Sequence, residues 1–148
     1  MNDPNEVEIL LVEDDQDDLD MTLRSLRKVN LANRIQVVRD GAEALDFIFG
    51  TGAFAGRGLD NPPKLVLLDL KLPKIDGLEV LKRLKQTPFT RTVPVVVLTS
   101  SREQKDMLES YHLGVNSYIV KPVDFERFAA AVQELGMYWL LLNQPPRP

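Results

Sequence analysis

Five positions in this 148-residue chain carry side chains able to hold a cation or meet a charged group, and each stands where a short apolar run stops. Glu13 and Asp14 follow the run at 7–12, Asp69 the run at 65–68, Thr99 the run at 93–98, and Lys121 the run at 117–120. Each has an ordinary explanation by itself. Acids favour helix starts because of the helix dipole, threonines close strands, and lysines lay their stems along apolar surface. All of them at the edge of one sheet would be a different matter. Two unit charges about 4 Å apart repel by about 4 kcal/mol at an effective dielectric of about 20, so three converging carboxylates call for a cation. An all-oxygen set suits Mg2+ or Mn2+, which keep several waters. A carboxylate beside such an ion is a plausible phosphoryl acceptor. Asp69 would be the nucleophile and form an aspartyl-phosphate. The metal and Lys121 would neutralise charge on the transferring group, and the Thr99 hydroxyl would donate to another of its oxygens.

The elements that must place these side chains follow from hydrophobic spacing. Leu-Val-Leu-Leu at 65–68 fits a strand buried on both faces, as in a parallel sheet. Runs at 7–12, 35–38, 93–98 and 117–120 read as four more strands. Between them lie helical patterns: Leu19, Leu23, Leu26 and Val29; residues 42–49 after Asp40-Gly41; Leu78, Leu81 and Leu84 opposite Lys82, Arg83 and Lys85; and a less apolar stretch at 103–111. A last helix starts near 123–124 and carries Phe125, Phe128, Val132 and Leu135 inward. Five strands alternating with five helices predict an α/β fold: a five-stranded parallel sheet of order 2-1-3-4-5, the flavodoxin-like doubly wound (βα)5 arrangement. In that order the ends of strands one, three, four and five share one edge, with one and three adjacent at the switch point. Asp17, Asp18 and Asp20 read as helix-dipole residues. The glycine-rich segment at 50–58 lacks a Walker lysine and reads as a flexible connection.

Composition excludes several alternatives. With 18 basic and 22 acidic residues the net charge is −4, which argues against nucleic-acid binding by general electrostatics. There is no cysteine, so neither a disulfide nor a thiolate site is available, and with His112 alone no site can use two histidines. The start at 1–8 lacks the basic and apolar regions of a signal peptide. No stretch approaches the roughly 20 apolar residues of a membrane span. A cytoplasmic protein is expected, with no membrane or DNA partner.

Glu13-Asp14, Asp69, Thr99 and Lys121-Pro122 resemble, in order and spacing, the signature of response-regulator receiver domains. The resemblance implies a phospho-accepting Asp69 and a magnesium site with Asp14 as direct ligand, Glu13 acting through water and the Lys71 backbone carbonyl as a further ligand. It implies that Thr99 and Lys121 read the phosphoryl group, and that Tyr118 is an aromatic switch turning inward as Thr99 moves. Lys71 and Ser101 flank this site, each two residues past a signature position. The implied activity is not enzymatic beyond slow self-dephosphorylation.

The whole of 1–148 is expected to be one receiver, with a core at about 7–135 and an apolar extension at 136–148. The stretch after Pro122 has room for one helix and a tail, so a stand-alone regulator acting by protein contact is expected. Residues 137–142, Met-Tyr-Trp-Leu-Leu-Leu, are apolar on every side of a helix, and one core buries only one stripe. Tyr138, Trp139 and Leu142 are therefore candidates for a dimer or partner surface. With the glycine-rich connection and residues 110–119, this tail resembles small receivers paired with phytochrome-type sensor histidine kinases, which implies such a kinase as partner and a homodimer. Two rival readings stay open. A phosphate-independent receiver-like module would not need the full signature. A magnesium-dependent phosphatase with an aspartate nucleophile usually places a second aspartate two residues on, where this chain has Lys71.

Overall fold

Strands of four or five consecutive apolar residues can be satisfied only by burial on both faces. The computed structural model, which describes residues 9–28, 35–57, 62–121 and 125–134, buries its three central strands throughout and its two edge strands in part. Its strands are β1 (Ile9–Val12), β2 (Ile35–Val38), β3 (Leu65–Leu68), β4 (Val95–Thr99) and β5 (Ser117–Val120). All pair in parallel, in the order β2-β1-β3-β4-β5, with Val12 opposite Leu68 and Leu68 opposite Val97. The helices between them are α1 (Gln16–Lys28), α2 (Gly41–Phe49), α3 (Gly77–Gln86), α4 (Gln104–His112) and α5 (Phe125–Glu134). This is the expected fold.

Alternation along each strand divides the core in two. Leu10, Val12, Val66, Leu68, Val95 and Val97 face Leu45 and Ile48 of α2 and Val80, Leu81 and Leu84 of α3. Ile9, Leu11, Leu65, Leu67, Val96 and Leu98 face Leu19 and Leu26 of α1 and Phe128 of α5. Burying each such side chain contributes roughly 1.5–3 kcal/mol. α4 lies on the first of these faces, where Met107 packs half-buried against the core.

Some boundaries and segments differ from expectation. β4 starts at Val95 rather than 93. Pro94 accepts from the Val66 amide at 3.0 Å but has no N–H to donate. The glycine-rich segment is not a free connection over its described part. Gly50 ends α2 at φ 64, a short 3-10 turn spans Gly52–Phe54, and Phe54 meets the Phe47 ring edge-on at 5.1 Å. The Arg57 guanidinium lies 3.7 Å above the Phe47 ring and donates to the Phe47 carbonyl. Such a stack adds apolar contact and cation–π attraction that glycine content alone does not reveal. Val29, Pro122, Leu135 and the extension with Tyr138, Trp139 and Leu142 lie outside the described residues. Among those described, no helix is long and apolar enough to cross a membrane.

Candidate functional site

The ladder that holds the sheet together also sets the site. One residue past β3, the Asp69 amide donates to the Val12 carbonyl at 3.1 Å, and one past β1 the Glu13 amide donates to the Val38 carbonyl at 3.0 Å. Glu13 and Asp69 are thereby fixed side by side, 2% and 6% exposed. Asp14 follows on the solvent side. Its carbonyl accepts from Arg39 at 3.0 Å. One carboxylate oxygen from each of Glu13, Asp14 and Asp69 lies within 4.8 Å of the others.

Lys121 enters from the other half of the sheet. Its amide donates to the Thr99 carbonyl at 2.8 Å, continuing the β4–β5 ladder. Its ammonium donates to Asp69 Oδ2 at 2.9 Å, to Asp18 Oδ2 at 2.9 Å and to Glu13 Oε1. Asp18 corrects the reading of the acidic run: it is more than a helix-dipole residue. Asp15 caps α1 by accepting from the Asp18 amide at 2.9 Å, and this phase brings the Asp18 carboxylate to Lys121. The dipole accounts equally well for Asp17 and Asp20, so the sequence alone does not single Asp18 out.

Burial pushes the Glu13 carboxyl up to about 7, Asp69 adds to the rise, and the Lys121 ammonium opposes it. Burial alone would lower the Lys121 pKa. The bonds to Glu13, Asp69 and Asp18 outweigh it and hold the ammonium above the ordinary lysine value.

The loop after Asp69 is pressed between two helix starts. A Cβ on Gly77 would sit 2.2 Å from the Asp69 carbonyl oxygen, and one on Gly41 would sit 1.7 Å from that of Ile75. The Gly77 amide donates to the Leu70 carbonyl at 2.9 Å and the Gly41 amide to that of Pro73 at 3.3 Å. Within the loop, the Lys71 amide donates to Asp69 Oδ1 at 3.3 Å. Lys74 adopts φ 66, left-handed without being glycine, and its ammonium lies 3.4 Å from Asp40.

Thr99 is fully buried, and its hydroxyl oxygen accepts from the Ser101 amide at 3.2 Å. Tyr118 is 8% exposed, with its hydroxyl donating to the Ser101 carbonyl at 3.1 Å. Burial raises the Tyr118 pKa. The two expected switch residues thus meet the same residue, Ser101.

Four carboxylates, one ammonium and one hydroxyl surround a single sheet edge. Carboxylate oxygens at this separation fit a hard divalent cation bound with waters. The profile of the response regulator receiver domain matches residues 9–133. The chain belongs to the response-regulator receiver family. Its relatives include the probable methanogenesis regulatory protein FilR2 of Methanothrix harundinacea (strain 6Ac), 42% identical over 95% of this chain and 88% of that protein. Among solved structures, the bacteriophytochrome response regulator RtBRR superposes with a TM-score of 0.83 at 52% identity, covering 95% of this chain and 84% of that one. The Mn(2+)-bound form of response regulator Rcp1 superposes at 0.75 with 36% identity, covering 95% and 99%. As a receiver, this protein stands close to regulators associated with phytochromes.

Proposed function

We propose that this receiver accepts a phosphoryl group on Asp69 from a sensor histidine kinase and signals by a change of protein surface. The observation that carries the reading is the Lys121 ammonium 2.9 Å from the Asp69 carboxylate, beside the Glu13–Asp14–Asp69 cluster. In the transfer, an Asp69 oxygen attacks phosphorus. The new O–P bond forms as the P–N bond to the donor histidine breaks, and the leaving imidazole takes up a proton. Lys121 holds one phosphoryl oxygen and Thr99 donates to another. Asp14, Asp69, Glu13 and the Lys71 carbonyl would hold Mg2+ or Mn2+, which would supply charge neutralisation. The all-oxygen side-chain set and the Mn(2+)-bound form of the relative Rcp1 support that choice of ion.

Similarity to RtBRR supports a phytochrome-type kinase as the donor. The switch then runs through Thr99 and Tyr118 to the surface of α4, β5 and α5. Tyr138, Trp139 and Leu142 serve a homodimer or partner contact, the chain acts as a single domain in the cytoplasm, and it has no enzymatic role beyond slow loss of its own phosphoryl group.

The test is incubation with acetyl phosphate and Mg2+, read by intact mass. One phosphoryl adduct is expected in the wild type, and none in Asp69→Asn or with EDTA. An adduct that persists in Asp69→Asn would move the acceptor elsewhere. Failure to accept phosphate even from a cognate kinase would favour the phosphate-independent module.

A further inference from the structure

α4 is built the wrong way round for a surface helix. Asp106 and Ser110 are 5% and 0% exposed, whereas Leu108 and Tyr111 stand 61% and 49% exposed. An amphipathic helix normally docks by its apolar stripe. Here polar groups occupy much of the buried side, and the cap position, Glu103, contributes no side-chain bond.

Asp106 supplies the missing attachment. Its Oδ2 accepts from the Ser101 hydroxyl at 2.6 Å and pairs with the Lys71 ammonium at 3.3 Å. The Ser101 hydroxyl oxygen in turn accepts from the Glu103 amide at 3.3 Å. The Ser101 hydrogen bond and the Lys71 charge hold the Asp106 carboxyl below the usual aspartate range, and Asp106 raises the Lys71 pKa. Lys71 therefore has two ends at two places. Its amide donates to Asp69 and its ammonium seats α4.

We propose that Lys71 is an exchangeable cation: its ammonium rests on Asp106 while Asp69 is free and moves to the phosphoryl group once Asp69 is modified, releasing one bond that seats the first turn of α4. This rests on the acceptor reading of Asp69 given above. Three arguments favour the exchange. A phosphoryl group carries about −1.5 to −2 charges against −1 on Asp106. The Lys71 side chain is 62% exposed, so little desolvation opposes its movement. Lys121 is already shared among three carboxylates, so even beside a divalent cation it meets the added charge only in part. The exchange acts directly on α4, independently of any displacement of Thr99.

The test uses the whole protein with Mg2+ and beryllofluoride, a phosphoryl mimic. Fluorine NMR reports the adduct, and amide hydrogen exchange reports residues 104–112. On adduct formation, wild-type α4 exchange should rise about threefold, the scale of an ion pair with one exposed partner. Lys71→Met should show the raised exchange without the mimic and a smaller further rise with it than the wild type, the remainder being carried by Thr99 and Tyr118. Lys71→Arg, which keeps the charge, should restore the wild-type response. An adduct on both wild type and Lys71→Met with the same rise in each overturns the exchange alone. Loss of the wild-type response in Lys71→Arg counts against a cation role. No adduct on the wild type overturns the acceptor reading, and the exchange falls with it.

Discussion

α3 and α4 are neighbours on one face of the sheet and nearly equal in length, 10 and 9 residues, yet opposite forces hold them. α3 buries Val80, Leu81 and Leu84 completely, and Asp76 caps it by accepting from the Leu78 amide at 2.7 Å. α4 turns Asp106 and Ser110 inward, has no side-chain cap, and ties its first turn down through Ser101 and Lys71. Apolar packing is non-directional and indifferent to charge at Asp69. A hydrogen-bonded carboxylate is not. One helix beside the Asp69 loop is therefore held by packing and its own cap, and the other is tied to that loop through Lys71. Low local stability is where moving elements are found.

The contrast can be broken from the α3 side first. Leu81→Ala should remove about 2–5 kcal/mol of unfolding free energy, measured by denaturant midpoint, because its site is closed on all sides. A change below about 1 kcal/mol would mean that α3 is no better anchored than α4. Asp76→Ala should lose about 1 kcal/mol in the same measurement through the missing cap.

Two changes in α4 sharpen the comparison with smaller effects. The Asp106 carboxyl is held below its ordinary value of 3.8. Its contribution is present above that value and lost as pH falls through the lowered one. Asp106→Asn keeps an acceptor for Ser101 and gives up the ion pair, so it should lose about 0.2–1 kcal/mol at neutral pH. Its acid-unfolding curve should be flatter below pH 3.8 than that of the wild type, and superimposable curves would argue that the pair contributes nothing to α4. Leu108→Ser should stay within about 0.5 kcal/mol of wild type, since the side chain is 61% exposed. A large loss would show that this side chain is covered.

Much of this was legible because it depended on unbroken runs. Leu65–Leu68 has no polar residue to turn toward water, so it had to be interior, and Asp69 had to emerge at its end. The same reasoning placed Thr99 and Lys121. Contacts set by helix phase across long separations were not legible. Asp18 reaches Lys121 across 103 positions, and nothing local separates it from Asp17. Lys71 and Ser101 were seen to flank the site, but the carboxylate joining them belongs to a helix whose pattern, read for apolar residues, points the other way. Arg57 over Phe47 was hidden for a related reason: glycines mark where a chain can bend and say nothing about what holds the bend.

The two glycines that open α2 and α3 have a consequence for anyone recombining this protein with a relative. Gly41 and Gly77 leave no room for a methyl group against the backbone of Ile75 and Asp69, and they come from either side of the same loop. Residues 69–77 therefore transplant as a cassette only into a chain that keeps glycine at position 41, because any side chain there would collide with the loop backbone at Ile75.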